Sequence, residues 1–173
     1  MKKINLITGA SGFIAYELIE SILKKKEYVL GIDKIKFLKK SLIKNKDFSF
    51  IQNDLSKYSP KMQLIINRFS KKNYKIYIWH FAANSDIKKG SKNFEIDYLD
   101  TFMTTKNILK YFENIKISKF IFASTSAVYG EHYKKIKEDT ILTPISYYGS
   151  YKASSEMIIM TNSYLKNFEY HIL

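Results

Sequence analysis

The chain has no cysteine among its 173 residues, which excludes disulfides, thiolate metal sites and a cysteine nucleophile. Arginine is almost as scarce: of 29 basic residues, Arg68 alone is an arginine. Arginine is the usual reader of base edges, so a net charge of +13 carried by lysine does not point to nucleic acid as a partner. The lysines cluster at Lys24 to Lys26, Lys39-Lys40, Lys71-Lys72, Lys88-Lys89 and Lys134-Lys135, near helix ends and loops, as on a solvated surface of biased composition. No run approaches the ~18 consecutive apolar residues that a membrane span requires. The stretch after Met1-Lys2-Lys3 is too short for a signal-peptide core, so the expectation is a cytoplasmic protein without membrane contact. Repeats, low-complexity tracts and linkers are missing too. What is left is one domain, 1–173, able to bury roughly 70% of its unfolded surface.

The most informative stretch lies near the amino terminus, at Leu6-Ile7-Thr8-Gly9-Ala10-Ser11-Gly12-Phe13-Ile14-Ala15. Ile4, Leu6 and Ile7 before it have strand character; Ile14, Leu18, Ile19, Ile22 and Leu23 after it recur at helical spacing. The glycines therefore fall at a strand-to-helix junction. There Gly9 supplies a tight turn, Gly12 lets a pyrophosphate approach the backbone, and Ala15 is small enough for the third position. Free amides and the dipole at the helix start favour a bound anion.

Further along, Tyr28 to Asp33 reads as a second buried strand ending in an acid. Asp33 follows Gly9 by 24 positions, close to the ~20 expected of a carboxylate that binds an adenosine ribose and repels a 2′-phosphate. That favours NAD over NADP, although Lys34 and Lys36 pull the other way. A third strand, Phe48 to Ile51, leads into Asn53-Asp54-Leu55, and Ser59-Pro60 opens a helix. A fourth strand runs from Ile76 to Ala83, and His80 within it reads as a core histidine, having no second ligand at metal spacing. A long helix is expected from Asn93 to Phe112, with Phe94, Tyr98, Phe102 and Leu109 on one face and Ile96, Leu99 and Met103 on another; one face lacks an obvious cover and suggests a subunit contact. Lys119 to Ala123 is a fifth strand ending in Ser124-Thr125-Ser126. Ser146 caps a helix from about Tyr147 to Lys166, and Tyr170 to Leu173 begins a sixth strand. This alternation predicts an α/β fold, a doubly wound parallel sheet with helices on both faces and a ligand beyond the carboxyl ends of the strands.

Tyr148 and Lys152 stand at i and i+4 on that last helix and share a face. With 14 tyrosines in a lysine-rich chain the spacing alone is uninformative, and Tyr133 and Lys137 repeat it in a loop. Context separates the two pairs, because Tyr148 opens a helix and follows the hydroxyl cluster around Thr125. A phenol of pKa ~10 must fall by about three units to act near neutrality, and a lysine cation ~4 Å away supplies that order of stabilisation. Thr125 would then orient a substrate hydroxyl.

Thr8-Gly9-Ala10-Ser11-Gly12-Phe13-Ile14, His80-Phe81-Ala82-Ala83, Ser124-Thr125-Ser126-Ala127-Val128-Tyr129-Gly130 and Tyr148-Gly149-Ser150-Tyr151-Lys152 together resemble the extended short-chain dehydrogenase/reductases. In particular they are similar to the NAD-dependent sugar-nucleotide epimerases and dehydratases. The resemblance implies that Tyr148 is the acid/base, that Lys152 holds the nicotinamide ribose and lowers the tyrosine's pKa, and that Thr125 takes the Ser/Thr place. It implies that Gly9, Gly12, Phe13 and Ile14 cradle the pyrophosphate, Asp33 the ribose, Asp54 and Leu55 the adenine, and Phe81, Ala82 and Ala83 the inner face of NAD. A nucleotide-sugar oxidised at C4 through a 4-keto intermediate, and a homodimer through the helices near 93–112 and 147–166, follow in the same way. The family's Asn-x-x-Gly-Thr reads Asp97-Tyr98-Leu99-Asp100-Thr101 here. Relatives also continue into a carboxyl-terminal substrate-binding portion that these residues lack. Three expectations therefore stand side by side: a truncated piece of such an enzyme, a cofactor half completed by a separate chain, or a nucleotide-binding module without turnover. The alternative suggested by charge alone is a nucleic-acid binder.

Overall fold

Strands rich in Ile, Leu and Phe with little polar alternation have to be covered on both faces, and the computed structural model, which describes residues 2–70, 74–131 and 135–173, covers them so. Lys71, Lys72, Tyr133 and Lys134 lie outside the described residues. Six parallel strands, β1 (Lys3–Thr8), β2 (Tyr28–Asp33), β3 (Phe48–Gln52), β4 (Lys75–His80), β5 (Lys119–Phe122) and β6 (Glu169–Ile172), form one sheet in the order β3-β2-β1-β4-β5-β6. The strand order reverses between β1 and β4, which opens a crevice at their carboxyl ends.

Helix α1 (Phe13–Lys24) and the short α2 (Lys40–Ile43) lie on one face, where Ile7, Ile19, Ile22, Val29, Phe37 and Phe48 form a buried cluster. On the other face lie α3 (Pro60–Ser70), α4 (Ile87–Lys92), α5 (Phe94–Asp97), α6 (Thr104–Tyr111) and α7 (Tyr147–Lys166). There Leu6, Met62, Ile78, Ile108, Phe120 and Ile159 form the larger cluster. Leu6 and Ile7, adjacent in β1, point to opposite faces as the pleat requires.

The segment expected as one long α-helix is helical from Phe94 to Tyr111, but its middle, Tyr98–Met103, is a π-turn. Threonine hydroxyls in and after this stretch draw on its carbonyls: Thr104 Oγ1 lies 2.8 Å and Thr105 Oγ1 3.2 Å from Thr101 O. Such back-bonding competes with the regular ladder and is often found where a helix bulges. The bulge also rearranges the two expected faces. Thr101, Thr104, Thr105 and Ile108 are buried toward the sheet. Phe94 and Tyr98 meet Tyr147 and Tyr151 of α7, with ring centroids 5.7 Å apart in each pair. Leu99 stays exposed, as do Met157, Met160, Tyr164 and Leu165 along α7. Among the described residues no helix is long and apolar enough to cross a membrane.

Candidate active site

Gly9 ends β1 with φ of +67°, the left-handed region that favours glycine. A Cβ there would lie 2.9 Å from both Ala82 N and the Phe81 carbonyl carbon, so the turn also needs glycine for its close approach to the residues after β4. Gly12 N donates to Gly9 O at 2.9 Å, which closes the turn and leaves Gly12 as the N-cap of α1 with no side chain bonded to that helix end. Phe13 and Ile14 form the first exposed turn, Phe13 with 84% of its surface free. The helix start therefore presents amides and positive dipole to the crevice.

Asp33 closes the other side of the turn. Its Oδ2 accepts from Ser11 N and its Oδ1 from Ile35 N, both at 2.9 Å, and each oxygen retains a lone pair for a ligand hydroxyl. Gly9, Gly12, Asp33, Asp54, Leu55, Phe81, Ala82 and Ala83, eight residues singled out from sequence, line one cleft of about 400 Å³. Leu55 is fixed there by Asn107 Nδ2, which donates to its carbonyl at 2.8 Å. Phe13 and Ile14 flank this cleft's lining and do not belong to it. A larger recess of about 520 Å³ opens beside Lys2, Glu27 and Arg68, at the amino-terminal ends of the strands, away from all these residues.

A buried polar chain sits beneath the cleft, and sequence reading identified only one of its members. Thr8 Oγ1 lies 2.6 Å from His80 Nδ1, and His80 Nε2 lies 2.9 Å from Thr105 Oγ1. The Thr105 hydroxyl donates onward to Thr101 O, so its oxygen accepts from Nε2–H, and Nδ1 is left to accept the Thr8 hydroxyl. Thr8 Oγ1 in turn accepts from Phe81 N and Ala82 N, each at 3.2 Å. Phe81 N also keeps the last backbone bond to β1, to Thr8 O at 3.2 Å, whereas Ala82 N turns to the Thr8 hydroxyl, and β4 ends at His80 and not at Ala83. Burial, and then the Lys152 cation, push the imidazole down to about 3, so it is neutral and works as a structural relay. Nearby, Asn84 N donates to Thr101 Oγ1 at 3.1 Å, and Asn84 Nδ2 to the buried Asp97 carboxylate at 2.7 Å. The signal for this network was the set of hydroxyls around His80, but Thr105 is 25 residues away and no local pattern joins them.

Thr125, Tyr148 and Lys152 gather around the carboxyl end of β5, outside the lining of that cleft. Thr125 Oγ1 caps a short 3₁₀ turn, Ser126–Val128, by accepting from Ala127 N. Ser146 Oγ accepts from Gly149 N at 3.0 Å and starts α7. A Cβ on Gly149 would lie 2.4 Å from Ala127 O, so the first turn of α7 rests directly on the Thr125 turn. Lys152 is buried, donates to Ala123 O at 2.6 Å, and has its Nζ 5.8 Å from the Tyr148 ring centroid. Burial pushes its amine down to about 8. The expected lowering of the Tyr148 phenol by Lys152 is not what these residues produce: burial first, and then the Asp97 carboxylate, hold it above its ordinary value. Lys152 Nζ bonds to Ala123 O and lies 5.8 Å from the Tyr148 ring centroid, and desolvation of the phenol prevails.

A family profile described as "NAD dependent epimerase/dehydratase family" matches residues 5–173. An uncharacterized UDP-glucose epimerase, YtcB, of Bacillus subtilis is 34% identical over 165 residues, which are 88% of this chain and 49% of that protein. A UDP-glucuronate 4-epimerase of Thermodesulfobacterium geofontis is 28% identical over 92% of this chain and 51% of its own length. Among solved structures, the UDP-glucuronic acid 4-epimerase of Bacillus cereus in complex with UDP-glucuronic acid and NAD superposes with a TM-score of 0.82 at 28% identity, covering 98% of this chain and 55% of that one. The chain spans about half the length of the curated relatives it matches.

Proposed function

Since the chain belongs to the NAD-dependent epimerase/dehydratase family, we propose that it is the cofactor-binding portion of a sugar-nucleotide enzyme, most simply a 4-epimerase acting on a UDP-sugar. The observation that carries this reading is the placement of Tyr148 and Thr125 on one packed unit beside a cleft whose turn, floor and acid suit a dinucleotide. The residues present fit NAD. The glycine turn and the open start of α1 suit a pyrophosphate, Asp33 a ribose with free hydroxyls, Asp54 and Leu55 the adenine, and Phe81 to Ala83 the inner wall.

When bound, NAD supplies the hydride acceptor for a sugar C4 and, in its oxidised form, a positive charge. The chain's own residues do the rest. Thr125 orients the C4 hydroxyl, and Tyr148 takes its proton and later returns it, so that a 4-keto sugar forms and is reduced on its other face. Lys152 adds a cation 5.8 Å from the Tyr148 ring centroid. The activity is proposed for the complete protein, with further polypeptide supplying the sugar-nucleotide site. The exposed Leu99, Met157, Met160, Tyr164 and Leu165 support a homodimer through the paired helices. A single 20.4 kDa species in sedimentation would refute that pairing.

Calorimetric titration of the 173-residue chain tests the cofactor half directly. Saturable binding of NAD, tighter than that of NADP, is the expected result. A folded chain that takes up neither nucleotide would overturn the reading.

A further inference from the structure

Lys34 follows directly on Asp33, the acid assigned to the ribose, and a cation in that neighbourhood is what a 2′-phosphate recruits. Here the cation is already engaged. Lys34 Nζ donates to Asp100 Oδ2 at 2.7 Å, an ion pair that joins the loop after β2 to the π-turn 66 residues later. Both residues line the cleft. The Lys34 carbonyl accepts from Gln52 Nε2 at 3.0 Å, which fixes the point from which its side chain reaches out. Asp100 keeps its carboxylate toward Lys34, and its backbone carbonyl lies 3.2 Å from Thr104 Oγ1, whose nearest acceptor is Thr101 O at 2.8 Å.

We propose that Asp100 is a specificity-determining residue, holding Lys34 in an ion pair across the rim and so reserving the cleft for a dinucleotide without a 2′-phosphate. The inference deepens the cofactor reading above and rests on it. Asp33 and Asp100 place two carboxylates about Lys34, whose charge is neutralised, and the other lysine of the lining, Lys89, is itself paired with Asp86 at 3.7 Å. A 2′-phosphate, carrying about two negative charges, has to break the pair or lie beside both acids. Lys34 is half exposed and Asp100 about a quarter exposed, so the pair is held by charge and geometry and not by burial, and a substitution releases it readily.

The test is calorimetry on the 173-residue chain with NAD and NADP as the two probes. Asp100→Asn is expected to move the ratio of the two dissociation constants toward NADP by about fivefold. Adding Lys34→Ala to Asp100→Asn should remove most of that gain, because the freed cation is its source. If Asn disturbs the π-turn in circular dichroism, Asp100→Ser repeats the measurement. A ratio that stays put while both nucleotides bind overturns the proposal, and so does a gain that survives the loss of Lys34. Failure of the unmodified chain to bind NAD refutes the cofactor reading itself and is recognised before any variant is made.

Discussion

Tyr148→Phe in the complete enzyme should lower kcat by about 10³-fold while NAD affinity stays close to that of the parent. The hydroxyl is the only group that this substitution removes, and the ring remains to fill the same space. Its position is set by contacts that the substitution leaves alone: the Ser146 cap, the seat of Gly149 on Ala127 O, and the buried stem of Lys152. Tyr148 does not line the cleft, which is why cofactor binding is expected to persist. The phenol's raised pKa means that it stays protonated near neutrality in the cofactor-free protein. Its work as the base that takes the C4 hydroxyl proton therefore requires positive charge beyond Lys152, which oxidised NAD would supply when bound. Turnover that survives the substitution would remove Tyr148 from the chemistry, and a parallel loss of NAD binding would make its role structural.

The sheet was legible because a parallel strand covered on both faces has to be apolar along its length, and β1, β2 and β4 each carry that signature in a few residues. The turn at Gly9 was legible because a left-handed residue in contact with the next strand's end leaves glycine no substitute. Legibility failed where a feature depends on side chains brought together by the fold. The π-turn is accompanied by Thr104 and Thr105 hydroxyls bonded to Thr101 O, which an apolar period does not register. Helix α4 went unseen because its sequence, Ile-Lys-Lys-Gly-Ser-Lys, has no apolar stripe; it is held by the Asp86 cap and by Gly90 lying against the Asp97 carboxylate. The Tyr148 shift runs opposite to the lowering that the sequence leads one to expect. Spacing places a lysine on the right face of α7, but only the folded chain shows that its hydrogen bond goes to Ala123 O. Lys34 and Asp100 belong to the same class, two ordinary surface charges until the cleft joins them.

His80 should make the fold acid-sensitive in a way that one variant isolates. Folded, the imidazole titrates at about 3; unfolded, it returns to the ordinary value of 6.5. Between those values the unfolded chain binds more protons, so stability is fully present above 6.5 and is lost as the pH falls toward 3. One proton per molecule sets the slope at no more than about 1.4 kcal/mol per pH unit, or roughly 2.5 kcal/mol lost by about pH 4.5. Carboxylates also titrate in this window, so the measurement is the difference between the parent chain and His80→Phe in urea unfolding at several pH values. Near neutrality His80→Phe should be the less stable, because it strands the Thr8 hydroxyl below the cleft and deprives Thr105 of its ring donor. On acidification the gap should close, since only the parent must keep an imidazole neutral at Thr8 and Thr105. Curves that run parallel from pH 6.5 downward would mean that His80 takes up its proton without unfolding. The relay through Thr8 to the Phe81 and Ala82 amides would then tolerate a charge, which its full burial and the nearby Lys152 cation argue against.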